Sequence, residues 1–395
     1  MKNRDDFFRF SSKEQKILYL GLLLGVIAAI FGLMTNAQRM WINYLTNSVY
    51  FVSLALGGGV VLAIASVTSS AWASPFKRLL ESLTTFLPVG LLLMLGLYFG
   101  IHSLYEWSHH TIVEADAILR GKAIYLNTPF FMIRIIVFFS LWITTTSMML
   151  FHSRKQDQDS QINHTFKIVK WSSIFLVTFA FSYSLASFDW LMSLRPHWFS
   201  TIFGIYNFSG LFVNTFAVVT FMTIWLSDRG YLKGMITDDV LHDLGKFLFG
   251  FTTFWAYIWL CQYLLIWYSN IPEETLYYIG REKNTWDWLF YSNLAINWAI
   301  PFISLMSRGS KRSRFTLIRV CVLLIIGRWL DLYLMISPDV NEIAGITNPE
   351  IGLIEIGMGI GFGCFFILFI TRSLKRANLR AVNDPYLEEG IHLHQ

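Results

Sequence analysis

The sequence predicts an all-α polytopic membrane protein of about ten transmembrane helices. Hydrophobic residues fill 54% of the 395 positions and charged residues only 14%, and the mean hydropathy of +0.49 exceeds what a soluble surface tolerates. Ten apolar runs are long enough to cross ~30 Å of hydrocarbon, which takes roughly 20 residues each. Lysine and arginine gather on alternate connections between those runs. In lipid every backbone amide must be satisfied within the chain, and no ten-residue alternating strands appear, so helices are the spanning element.

Taken from the N-terminus, residues 1–16 carry Lys2, Arg4, Arg9, Lys13 and Lys16. No small-residue cleavage site follows the next apolar run, so the first span is expected to stay in place. Spans are expected near 17–37, 49–73, 83–106, 129–151 and 166–187, then near 201–227, 245–268, 285–306, 316–336 and 351–372. A cytoplasmic tail, 373–395, follows. Of the 31 Lys and Arg, 22 lie in the N-terminus, the even-numbered connections and the tail. Six lie in the other connections, and Arg134, Arg319 and Arg328 fall within spans. By the positive-inside rule both termini are cytoplasmic, which requires an even helix count. LYEWSHH at 104–110 and LLIWYSN at 264–270 end the third and seventh helices and hint at a duplication. Helices 2–5 (about 49–190) and 6–9 (about 201–336) would then be two four-helix bundles, with helices 1 and 10 outside them.

Within the spans, Pro88 and Pro301 are expected to interrupt helices 3 and 8, and Gly57 to Gly59 to interrupt helix 2. GMGIGFG at 357–363 reads as close helix packing, because a P-loop needs a lysine after its glycines. Lys246 and Arg319 read as snorkelling anchors. Cys261, Cys321 and Cys364 stand alone, with no CxxC or CxxCH, which excludes a covalent haem and a cysteine-ligated cluster. No metal site is expected. The basic residues sit in short loops rather than on a folded face, so nucleic acid is set aside.

Ionisable groups inside a membrane are expensive, so they pair, face a cavity or carry protons. His102 and Glu106 are expected on one face of helix 3 at i, i+4 spacing, with Tyr98 and Tyr105 alongside. Arg134 lies about one turn into helix 4, Asp189 follows helix 5, and Asp287 begins helix 8. Arg328 and Asp331 fall in the outer half of helix 9, and Glu355 about one turn into helix 10. Nearly all the unusual charge is thus expected in the outer leaflet. Either these groups form structural ion pairs, or as a set they line a polar cavity or proton path opening outward. His102 reads as the only histidine well inside a span, a proton acceptor or a donor to a quinone oxygen. Without a second intramembrane histidine, an internal haem is not expected.

The segment SFDWLMSLRPHWFSTIFGIYNFSG, residues 187–210, resembles the F subunits of bacterial alternative complex III, within the polysulfide-reductase-type (NrfD-like) family of membrane subunits. The resemblance extends to YLNTPFF at 125–131 with Arg134, CQYLLIWYSNIPEET at 261–275, RWLDLY at 328–333, and NDPYLEE at 383–389 followed by His392 and His394. It implies an inner-membrane subunit without redox centres of its own, in a complex that oxidises menaquinol and passes electrons to a c-type cytochrome or a terminal oxidase. Haem c and iron–sulfur clusters would belong to partners, a multihaem cytochrome and a large iron–sulfur protein. A sister subunit of the same fold is the better candidate for the quinol site. The implied fold is two four-helix bundles plus two peripheral helices. Two positions depart from the pattern: Arg195 stands where an acidic residue is expected, and Asn297 where a histidine is common.

His102, Glu106, Arg134, Asp189, Asp331 and Glu355 are then expected to line a polar region at the outer face. Asp189 and Glu106 would accept protons, and Arg134 or Arg328 would keep one carboxylate charged. His197 and Arg195, in the outer loop, are expected to cap or to dock a partner. Two other readings remain at this point: a stand-alone secondary transporter, whose site should lie near the midplane, and a purely structural anchor.

Overall fold

Ser11 starts the first helix with a reciprocal cap: its hydroxyl accepts from the Glu14 N–H, and the Glu14 carboxylate accepts from the Ser11 N–H at 2.8 Å. The computed structural model describes residues 8–392 apart from 160, 283, 344–347 and 376–377. Among these residues it is all helical, with nine helices long and apolar enough to span a membrane. They are α1 (Ser12–Thr35), α2 (Ala37–Val67), α3 (Ala71–Leu104), α4 (Thr128–Asp159), α5 (Ile162–Trp190), α6 (Phe203–Asp228), α7 (Asp238–Ser269), α9 (Arg314–Ile343) and α10 (Leu353–Leu374). Between α7 and α9 runs α8, residues 287–304, made of Asp287–Leu294, a π-turn at Ala295–Ala299, and Ile300–Ser304. This segment is shorter than the others and is the eighth of the ten expected crossings.

Helix pairing fixes the topology. α1 and α10 are antiparallel, because Gly21, Gly25 and Gly32 face Cys364, Gly361 and Ile354 in turn. The chain's two ends therefore lie at the same end of the bundle. Arg229 bonds Glu14, Lys77 bonds Asp384, and Arg312 bonds Asp239, which brings the even-numbered connections to that same end. At the opposite end Arg195 reaches Asp339, His197 reaches Asp116, and Thr285 reaches Asn348. The charge-rich connections thus share one side, as the lysine and arginine count anticipates.

Burial differs sharply between helices. α2 is enclosed on nearly every face, whereas α1 is covered mainly along its contact with α10. Gly57 to Gly59 do not interrupt α2, which is continuous there. They instead admit three neighbours: Gly57 faces Thr215 of α6, Gly58 faces Leu83 of α3, and Gly59 faces Phe175 of α5. Pro88 and Pro301 do mark breaks, each standing in the first turn of a new helical piece. The 357–363 glycines pack as expected, with Gly361 against the backbone of Gly25.

Candidate functional site

Helix α2 begins at Ala37, twelve residues before the expected 49, and this brings Arg39 into a helix that the apolar pattern does not include. Arg39 clasps Glu355 of α10 with Nε to Oε1 at 2.7 Å and Nη2 to Oε2 at 2.6 Å. Asn43, one turn further on, donates to the same carboxylate at 2.8 Å, and the Gly352 N–H donates at 2.7 Å. Four donors thus converge on one buried carboxylate and tie the start of α2 to the start of α10.

Arg134 of α4 meets Asp189, in the last turn of α5, through Nε at 2.6 Å and Nη2 at 3.2 Å. Its third nitrogen donates to the Tyr125 carbonyl at 2.8 Å, and the Tyr125 ring covers the guanidinium at 3.9 Å. Both partners are buried.

Arg328 and Asp331, one turn apart on α9, are each 1% exposed and form the third pair. Asp331 Oδ1 also accepts from the Tyr206 hydroxyl at 2.5 Å and from Asn293 at 3.0 Å, while Arg328 donates to Asn207 at 3.1 Å. The network continues into the π-turn of α8, where Asn297 donates to the Asn293 side-chain oxygen at 2.7 Å and to the Gly327 carbonyl at 3.1 Å. An extra residue per turn re-aims side chains, which is why π-turns recur at functional sites. Asn297, which departs from the resembled pattern, is built into this network.

A fourth pair is not anticipated by the sequence reading. Arg281, from the short helix Pro272–Glu282, binds Asp339 through two nitrogens at 2.7 and 3.1 Å. Its Nε takes the Leu334 carbonyl at 3.0 Å. That carbonyl has no helical donor because the residue four places on, Pro338, lacks an N–H. Tyr277 covers this guanidinium at 3.5 Å and stacks on Trp198 at 4.0 Å.

Several expectations need correction. α3 ends at Leu104, and Tyr105 is extended, so His102 and Glu106 do not share a helical face. His102 is exposed at the helix end rather than well inside a span, whereas His152 in α4 and His164 in α5 are buried and joined through Nδ1 at 3.1 Å. Tyr98 points outward; Tyr105 is buried and donates to the Trp190 carbonyl at 2.9 Å. Arg195 and His197 are engaged within the chain, the former by Asp339 and Glu342 and the latter by Asp116. Lys246 is paired with Asp243, and Arg319 stacks on Phe315. His394 lies outside the described residues. Nor is buried charge confined to the outer end: Arg78, Glu81 and Ser153 form a buried cluster with Asp157 at the end that carries the termini. The 74–82 stretch falls between the expected spans, yet the chain is helical from Ala71, and this places Arg78 and Glu81 inside the fold.

The expected outer region therefore divides. Asp189, Asp331 and Glu355 are locked to Arg134, Arg328 and Arg39. Glu106 is not: no ion pair reaches its half-buried carboxylate among the described residues, and burial holds its pKa above the usual range despite nearby His197 and Arg195. It lines an open cavity of about 300 Å³ together with His102, His109, Tyr105 and Gln38. Ser108 donates to the Tyr105 carbonyl at 2.6 Å, so His102 Nδ1 donates to Ser108 at 3.0 Å and Nε2 is left as an acceptor. His109 Nε2 donates to the His102 carbonyl at 2.8 Å. Among the described residues no three His, Cys, Asp or Glu side chains are grouped to hold a metal ion.

No family model matches the chain, and no curated protein is detectably similar to it.

Proposed function

We propose that this chain is a redox-inactive membrane subunit of a quinol-oxidising complex of the alternative complex III type, in which it serves as scaffold and exchanges protons at its outer end. The observation that carries this reading is the convergence of the segments that bear the resemblance. Asp189, Tyr206 and Asn207 of the 187–210 segment bond Arg134, named with the 125–131 motif, and Asp331 and Arg328 of the 328–333 motif. Trp198 of the same segment stacks on Tyr277, just past the 261–275 motif. Residues far apart in sequence and recognised separately form one polar layer, as a shared fold requires.

On this reading the complex sits in the cell inner membrane with both chain termini in the cytoplasm. Menaquinol is the substrate of the whole complex. The haem c and iron–sulfur centres belong to the cytochrome and iron–sulfur subunits, and a sister membrane subunit holds the quinol. The Arg39–Glu355 and Arg134–Asp189 pairs sit toward helix ends, against a midplane transporter site, whereas Arg328–Asp331 lies at the middle of α9 and is the one pair such a reading retains.

The ion pairs divide the labour. Asp189 and Glu355 are each bound through both oxygens to an arginine of another helix, and Asp331 joins Arg328 to Tyr206 and Asn293, so these three carboxylates hold helices together. Glu106 and His102, facing an open cavity, take and release protons. The test is E106Q in the assembled complex. The expected result is slower quinol oxidation with an altered pH profile and unchanged haem content. An unchanged rate and profile would leave only the scaffold role.

A further inference from the structure

The flank of α4 and α5 at the end that carries the termini joins three cations to an apolar stripe. Lys155 of α4 and Lys167 and Lys170 of α5 are exposed, and among the described residues none is within ion-pair distance of a carboxylate. Lys155 and Lys167 both lie close to the buried His152, and the Lys155 ammonium sits 4.7 Å from the Phe151 ring. Asp159, which lies within the electrostatic reach of Lys155, is engaged by His164 at 2.9 Å and by the Gln161 N–H at 3.2 Å. Past the lysines, Ile174, Val177 and Phe181 are exposed at helical spacing on the face of Lys170, a stripe that runs ~16 Å along α5 from that lysine.

We propose that this flank binds an anionic phospholipid, with its phosphate against Lys155, Lys167 and Lys170 and an acyl chain along the stripe from Ile174 to Phe181. A partner helix is the poorer fit for the lysine end, because three cations with no carboxylate in ion-pair distance among the described residues match an anionic headgroup rather than an apolar helix. Basic residues at the positive side of a membrane attract anionic headgroups with roughly fivefold affinity per lysine, so three give a preference on the order of 100-fold. The inference needs the membrane topology but not membership of a quinol-oxidising complex.

The test uses the full chain in whatever assembly it purifies, stripped of lipid by detergent, then titrated with phosphatidylglycerol or phosphatidylcholine and read by native mass spectrometry. The parent should retain phosphatidylglycerol on the order of 100-fold more tightly than phosphatidylcholine. K155Q/K167Q/K170Q should lose that preference, whereas K13Q/K16Q/K233Q, an equal charge change at the same end, should keep it. If the first triple variant fails to fold, the three single variants are read the same way, each losing about fivefold. Equal retention of the two lipids by the parent, undiminished retention by the lysine variants, or displacement of the lipid by millimolar inorganic phosphate would overturn the proposal.

Discussion

The guanidinium of Arg328 lies directly against the backbone of Gly210, so that an arginine from α9 enters the face of α6 where any side chain would collide with it. Only the missing Cβ lets Arg328 reach Asn207 and Asp331 together. G210A should push the guanidinium off both partners and lower stability by about 1–3 kcal/mol, the usual cost of overpacking. Thermal unfolding in detergent checks this, and an unchanged midpoint would mean that the contact is not close.

Breaking a buried pair strands a charge, so D331N or R328Q alone should cost about 3–5 kcal/mol. R328Q/D331N, which removes both charges, should lose less than the sum of the two. The pair at Arg39 is wetter, because its side chain is 24% exposed. R39Q should therefore cost less than R328Q in the same unfolding assay, and the reverse order would contradict the burial seen here.

Glu106 carries the pH dependence. Its folded pKa is raised above the ordinary 4.5 by burial, so the folded state binds the proton more tightly than the unfolded chain. The stability that protonated Glu106 contributes is then fully present below the ordinary pKa and lost as pH rises through the raised one. E106Q removes that decline. Parent and variant should match near pH 4, and the variant should be the more stable at neutral pH, which parallel unfolding at several pH values reads directly.

α1 is held chiefly along one seam, where Gly25 meets Gly361 backbone to backbone. G361I should separate α1 from the bundle. Limited proteolysis should then release an N-terminal fragment that the parent retains, with the α6–α8–α9 network left intact. A proteolysis pattern identical to the parent's would show that the seam does not hold the helix.

Apolar run length and the lysine and arginine pattern made the helical class and the sidedness of the connections legible, because hydrocarbon thickness and loop charge are one-dimensional constraints. Arg134, Asp189, Arg328 and Asp331 were legible as costly charges, and they do pair. Less visible was anything whose meaning depends on a distant partner. Arg39 and Arg78 look like loop cations until a helix is extended through them. Arg281 gains its role from a carbonyl that Pro338 leaves free, and Pro338 stands just past the expected span of 316–336, where the helix in fact continues. His102 was misplaced because an aromatic-rich helix end looks like helix by composition, although the backbone turns extended at Tyr105.

The central claim is membership of a quinol-oxidising complex, and gentle purification of the tagged full chain from its native membrane tests it most directly. The expected result is that c-type haem, seen by its reduced α-band, elutes with the chain in a fraction that oxidises menaquinol. A chain that elutes free of haem, alone or as a homo-oligomer, and without that activity would contradict it.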